Sequence, residues 1–215
     1  MRIRLADYVA KRCYEHNIND AFIITGGGAM HLNDAFKRNK NINVSCFHHE
    51  QAAAMAAEGY ARVNINKFPV LNVTTGPGGI NALNGVFGAY VDSIPMLIIS
   101  GQVKTDTLIC NSNLPSRQIG DQEVDIYNLV KPLVKYVTVI TNPLKIKEVL
   151  DKAFFLITNG RPGPVWIDIP IDIQGKIIDT TELKGWSSKN ISKLHLDNDL
   201  TENTKLEVRN YPQKV

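Results

Sequence analysis

Short apolar runs alternate with longer stretches of helical period along most of this chain. The runs at residues 21–25, 44–47, 69–74, 96–100, 134–140 and 165–169 predict strands, several of them apolar almost without a break, as strands covered on both faces are. Between them, residues 4–16, 28–39, 50–63, 79–91 and 143–158 carry the spacing of helices. The last is the best marked: Asn142 can cap it, Pro143 occupies its first position, and Gly160 follows its end. Strand and helix in alternation predict an α/β domain, three layers deep (α/β/α), around a mainly parallel sheet of about six strands. After Gln174 the chain turns polar and nearly aperiodic. This change predicts a domain over residues 1–175 and a polar linker over 176–215, leading toward a further, central domain.

Composition adds exclusions. With 215 residues, 44% of them hydrophobic, the chain can bury one good core. Lys and Arg (24) barely outnumber Asp and Glu (21) and form no like-charged block, so neither nucleic acid nor an anionic membrane is an expected partner. No apolar run approaches the ~18 residues of a membrane span, and the charged N-terminus lacks the apolar centre of a signal peptide. Cys13, Cys46 and Cys110 are odd in number and far apart, which fits reduced thiols in a cytoplasmic protein and no metal-ligand spacing.

Two segments carry candidate chemistry. In residues 44–62, VSCFHHEQAAAMAAEGYAR, a strand runs directly into a helix and puts a carboxylate, Glu50, at the junction, where the carboxyl ends of parallel strands collect ligands. Alanines and Gly59 keep the surface of the following helix low. An isolated glutamate there would more often serve the helix dipole alone. In residues 70–103 a second strand ends in the turn Gly76-Pro77-Gly78-Gly79, which bares main chain and aims the free N–H groups of a helix at whatever lies before it. Taken alone, that is an ordinary βα turn. A dinucleotide fingerprint fails because position 31 is His31, a zincin motif fails because position 53 is Ala53, and no G-x-S-x-G elbow occurs.

Together the segments resemble the N-terminal, pyrimidine-binding domain of acetolactate synthase and related thiamine-diphosphate-dependent enzymes. The resemblance covers about residues 1–175. It rests on Gly26-Gly27, His49-Glu50-Gln51, Gly59-Tyr60-Ala61-Arg62, Thr75-Gly76-Pro77-Gly78 with Asn81, Asp92-Ser93-Ile94-Pro95, Gly101-Gln102-Val103, Gln122-Glu123-Val124-Asp125, Gly160-Arg161-Pro162-Gly163-Pro164 and Asp168-Ile169-Pro170, in that order. It implies that Glu50 bonds N1′ of the aminopyrimidine of thiamine diphosphate and so favours the C2 ylid that attacks a 2-keto acid such as pyruvate. It further implies Pro77 and Asn81 in the pyrimidine pocket, Gly27 and Thr75 near it, and Gln122 as an active-site glutamine beside the reacting carbons. For His49, packing or a hydrogen bond behind Glu50 and a catalytic role stand level.

Some positions depart from the family pattern. Ile24 and Thr25 stand where acetolactate synthases carry Tyr-Pro, Asp121 replaces an aromatic residue, and Ile171 replaces a lysine. The 18 residues between Val103 and Gln122 are several more than usual. These changes surround the substrate end, so the resemblance does not fix pyruvate as both donor and acceptor; relatives ligate two-carbon units onto other acceptors, keto sugars included, or only decarboxylate. The Gly-Asp-Gly of the family's diphosphate and Mg²⁺ site is absent, since Gly120-Asp121-Gln122 is not one. The Mg²⁺ ligands are therefore expected in a domain outside this chain, and the cofactor between this domain and the diphosphate-binding domain of another subunit of a homodimer or homotetramer. The chain alone is expected to be inactive. A different class also fits: a non-catalytic binding or regulatory subunit, or a split-enzyme partner, that kept the fold.

Overall fold

A computed structural model describes residues 1–64, 67–113 and 115–188. In chain order the strands are β1 (Arg2–Arg4), β2 (Asp20–Ile23), β3 (Asn43–Cys46), β4 (Val70–Val73), β5 (Met96–Gln102), β6 (Tyr136–Val139), β7 (Pro164–Pro170) and β8 (Ile177–Asp179). The α-helices are α1 (Leu5–Glu15), α2 (Met30–Arg38), α3 (Glu50–Val63), α4 (Pro77–Val91), α5 (Ile126–Val130), α6 (Ile146–Thr158) and α7 (Ile171–Gln174).

Six strands form one wholly parallel sheet in the order β3-β2-β4-β5-β7-β6. Side chains alternate across each strand, so the sheet serves two cores at once. Val70, Leu97, Ile99, Val165 and Ile167 face α1, α2 and α6, where Leu5, Val9, Leu32, Phe36, Leu150 and Ile157 pack. Leu71, Val73, Met96, Ile98 and Trp166 face α3, α4 and α5, with Ala53, Ala57, Ala82, Val86 and Ile126. The three-layer α/β/α arrangement and all six expected strands are present. The helix expected over 143–158 begins as a 3₁₀ turn at Pro143–Lys145, capped by the Asn142 side chain accepting from the Leu144 amide at 3.0 Å.

A second sheet pairs β1 with β8 in antiparallel register, Ile3 opposite Ile178. The polar stretch beyond residue 175 thus starts as part of the domain's packing. Ile178 and Leu183 are buried, and the Trp186 ring lies 5.3 Å from that of Phe155. Residues 189–215, the rest of the expected linker, lie outside the described residues. A chain ended after Gly175 is expected to be less stable in urea by roughly 2–5 kcal/mol than one ended after Ser188, since two apolar side chains lose their burial; equal midpoints would contradict this packing.

All the crossovers place the carboxyl ends of β2, β3, β4 and β5 along one edge, which is where the glycine turns and Glu50 lie.

Candidate functional site

Helices α3 and α4 follow neighbouring parallel crossovers and run side by side in the same direction. Their register is visible in four contacts: Glu50 with Asn81, Ala54 with Gly85, Glu58 beside Gly88, and Arg62 with Asp92. The crossing is close because both faces are small; a Cβ at Gly85 would come within 2.6 Å of the Ala54 Cβ. Both amino termini therefore converge at the same edge of the sheet, and their unpaired N–H groups favour a negative charge there. Glu50 is the first residue of α3 and its carboxyl is buried at this convergence, 9% exposed. Oε2 accepts a hydrogen bond from Asn81 Nδ2 at 3.0 Å. Oε1 lies 3.4 Å from where a Cβ at Gly78 would stand.

His49 occupies the N-cap of α3, and its Nδ1 accepts from the Gln51 amide at 3.1 Å. That bond assigns the ring proton to Nε2 and holds the first helical turn, which aims Glu50. Of the two readings of His49, the hydrogen-bonding one has a partner in the structure, although it is the amide after Glu50 and not the carboxylate itself.

The turn after β4 supplies the opposite wall. Gly76 has φ 55° and ψ −115°, a backbone state suited to glycine, and it lets α4 start at Pro77, two residues before the expected start. A Cβ at Gly76 would collide with the carbonyl oxygen of Gln122. Gln122, exposed at its side chain, itself has φ 56° without being glycine. The loop after β5 is thereby seated on the turn after β4. Thr74 packs against Gly26 and Gly78, and its hydroxyl accepts from the Gly28 amide at 3.1 Å. Gly27 itself faces open space, and a Cβ added there would meet nothing within 4 Å. Thus Gly27, Glu50, Thr75, Pro77, Asn81 and Gln122 lie around one edge, linked through Thr74, Gly76 and Gly78; Gln122 joins through its main chain and makes no hydrogen bond to Glu50.

The segment between β5 and Gln122 is tied down by two carboxylates. Glu123, buried, accepts from the amides of Ile109 (2.7 Å), Ile119 (3.3 Å) and Gly120 (3.3 Å). Asp172 accepts from the Thr105 amide and hydroxyl at 3.0 and 2.7 Å. Replacing Glu123 with alanine strands these donors and is expected to cost about 1–3 kcal/mol. Hydrogen exchange should then quicken at Ile109 and Gly120 before the sheet amides; unchanged exchange at both would contradict the anchor.

Beneath the edge is a polar cluster that lies outside the sequence-based site candidates. Asp168, 1% exposed in β7, meets Ser100 Oγ at 2.5 Å and Gln102 Nε2 at 3.1 Å. Its carboxyl is pushed up to about 7: burial raises it most, the bonds from Ser100 and Gln102 work against that, and the like charge of Asp125 adds to the rise. A carboxylate within the apolar run VWIDIP is the available signal, because a strand covered on both faces must hydrogen-bond any charge it carries.

The residues at this edge fit a pyrimidine on three counts: a buried carboxyl with one oxygen outside the Asn81 bond, an amide holding the other, and open space beside Gly27. Among the described residues no three of His, Cys, Asp and Glu gather as metal ligands, and no helix is long and apolar enough to cross a membrane.

Comparison with known proteins gives the class: residues 3–128 match the family described as thiamine pyrophosphate enzyme, N-terminal TPP binding domain. The chain belongs to that family. Within it the chain is similar to acetolactate synthases. It is 37% identical over 171 residues to the acetolactate synthase large subunit of Buchnera aphidicola (subspecies Schizaphis graminum), covering 80% of this chain and 28% of the relative. With acetolactate synthase isozyme 3 large subunit of Escherichia coli the figures are 36% over 168 residues, 78% and 28%. With the chloroplastic acetolactate synthase of Arabidopsis thaliana they are 34% over 175 residues, 80% and 24%. The chain spans about a quarter of the length of these relatives.

Proposed function

We propose that the chain supplies the pyrimidine side of a thiamine diphosphate site in a 2-keto acid decarboxylase or carboligase, and that Glu50 is its catalytic carboxyl. One observation carries this reading: a buried carboxyl at two converging helix amino termini, fixed by Asn81 on one oxygen and free of that bond on the other. Thiamine diphosphate, when bound, supplies an electron sink for the carbons of a 2-keto acid as carbon dioxide leaves. Glu50 holds a proton at the N1′ position of the pyrimidine and passes it back and forth, while Asn81 keeps the carboxyl from rotating. Pro77 and Gly78 exclude water beside it. Gly27, which faces open space, and Thr75 would shape the pocket beside the ring, and Gln122, whose carbonyl lies against Gly76, would stand at the substrate end.

The diphosphate and its Mg²⁺ would be held by a diphosphate-binding domain of another subunit in a homodimer or homotetramer. The outer face of α3 and α4 suits such an assembly, since Met55, Phe87, Tyr90 and Val91 are large apolar side chains standing exposed on it. Titration calorimetry with thiamine diphosphate and Mg²⁺ tests the half-site. Tight binding is expected for a chain extended through a diphosphate-binding domain and weak binding for the 215-residue chain alone; equally tight binding to both would contradict it.

A further inference from the structure

Strands β5 and β7 bring four polar-headed side chains into an interior that is otherwise apolar: Ser100, Gln102, Trp166 and Asp168, each at most 1% exposed. Their hydrogen bonds have a fixed direction. The Val103 amide donates to the Gln102 side chain at 2.9 Å, and an amide N–H can only donate, so the atom it meets is Oε1. The same oxygen accepts from the Thr75 hydroxyl at 2.7 Å. Nε2 must then point the other way, to Asp168 Oδ2 at 3.1 Å and the Val124 carbonyl at 3.4 Å. From the far side, the Trp166 indole donates to Ser100 Oγ at 2.7 Å, and Ser100 lies 2.5 Å from Asp168 Oδ1. With Asp168 ionised, every donor in this chain of bonds finds an acceptor. One added proton breaks the pattern, because it displaces either the Ser100 hydrogen or the Gln102 hydrogen.

Gln102 therefore grips two loops, one through the Thr75 hydroxyl and the other through the Val124 carbonyl. Thr75 belongs to the turn that ends in Gly76, and Val124 lies two residues beyond Gln122. Between those grips Gln122 keeps a positive φ of 56° with its carbonyl seated against Gly76. A non-glycine residue persists in that state only where its surroundings hold it.

We propose that Gln102, oriented by Asp168, is a positioning residue for Gln122: it clamps the Thr75–Gly76 turn and the Val124 carbonyl together and so fixes where the Gln122 side chain enters the site. The placement of Gln122 follows from the hydrogen bonds; its effect on turnover rests on the function proposed above. Burial, offset in part by the bonds from Ser100 and Gln102 and aided by the like charge of Asp125 at the N-cap of α5, leaves the Asp168 carboxyl up at about 7, and none of the ion pairs among the described residues involves Asp168. The clamp is complete above that midpoint and loosens as pH falls through it.

Two readouts test this. The first, in the full chain, is the set of backbone amide shifts of Thr75, Gly76, Gln122 and Val124, with the Trp166 indole, followed by NMR between about pH 5 and 9. They are expected to titrate together with a midpoint near 7 in the wild type and to be flat in Asp168→Asn. If Gln122 and Gly76 titrate unchanged in Asp168→Asn, or if only the Trp166 indole moves in the wild type, the clamp is refuted. The second is turnover, measured on a chain extended through a diphosphate-binding domain: Gln102→Ala and Asp168→Asn are expected to lower kcat by roughly 10- to 100-fold while leaving the affinity for thiamine diphosphate in place, as for a misplaced but bound-state residue. In the wild type kcat should fall as pH falls through the same midpoint, and that limb should vanish in Asp168→Asn. An extended wild-type protein without thiamine-dependent turnover would sink the function and leave the clamp to be decided by the amide shifts alone.

Discussion

Glu50→Gln is expected to lower thiamine-diphosphate-dependent turnover of a 2-keto acid by roughly 10²- to 10⁴-fold, the range that a positioned proton-transfer group contributes. The glutamine keeps the shape of the carboxyl and can still accept from Asn81 Nδ2 through its amide oxygen. It cannot hold and return a proton. Stability should therefore stay within about 1 kcal/mol of wild type, the worth of one exchanged hydrogen bond. Steady-state rates and urea unfolding on the same preparation separate the two effects: a large loss of rate with an unchanged unfolding midpoint is the expected pair. A variant that loses rate only because it unfolds would remove Glu50 from the catalytic role.

Gly76→Ala is expected to damage fold and site together. At φ 55° and ψ −115° any side chain is strained, and here the added methyl would also meet the Gln122 carbonyl oxygen, which is main chain and cannot swing aside as a flexible side chain does. Conformational strain costs about 1–2 kcal/mol and overpacking a further 1–3 kcal/mol. The loop carrying Gln122 should be pushed off the turn, so the thermal midpoint falls and turnover falls further than the residual folded fraction accounts for. Gly27→Ala is the matched comparison, since nothing lies within 4 Å of a Cβ there and φ is not in the left-handed region. Equal losses of thermal stability in the two variants would contradict the seating of Gln122 on Gly76.

The sheet is legible in the sequence because each of its central strands is buried on both faces and so is written as a short apolar run; no competing pattern exists for residues 96–100 or 165–169. The β1–β8 ribbon is not, since RIR and IID carry no apolar run and become strands only by pairing across the length of the domain. Helices α5 and α7, of 5 and 4 residues, are shorter than the window in which a helical period can be seen. The start of α4 falls earlier than the periodicity predicts because the positive φ of Gly76 closes the turn there, and Pro77, Gly78 and Gly79 already belong to the helix. The break after Gln174 is real in composition, but Ile178, Leu183 and Trp186 are enough apolar anchors to hold that stretch against the domain.

At the site, Glu50 and the turn from Gly76 to Gly79 can be found because each follows a strand end, and strand ends of a parallel sheet meet along one edge; Gly27, Thr75, Pro77, Asn81 and Gln122 are named as site residues through the family resemblance alone. The contact between Glu50 and Asn81 depends on two helices running parallel in a particular register, set by Gly85 against Ala54, which no local pattern states. The Gln102–Asp168 clamp depends on the pairing of β5 with β7, strands separated by more than sixty residues of sequence.

The central claim is that the Glu50 carboxyl activates the cofactor through proton transfer at the pyrimidine. It is tested most directly by the rate at which bound thiamine diphosphate exchanges its C2 proton for deuterium, measured by quenched-flow NMR on the full-length protein with Mg²⁺ present. Exchange far faster than in free thiamine diphosphate is expected for the wild type, falling toward the free rate in Glu50→Gln with the cofactor still bound. Exchange in Glu50→Gln as fast as in the wild type would contradict the account.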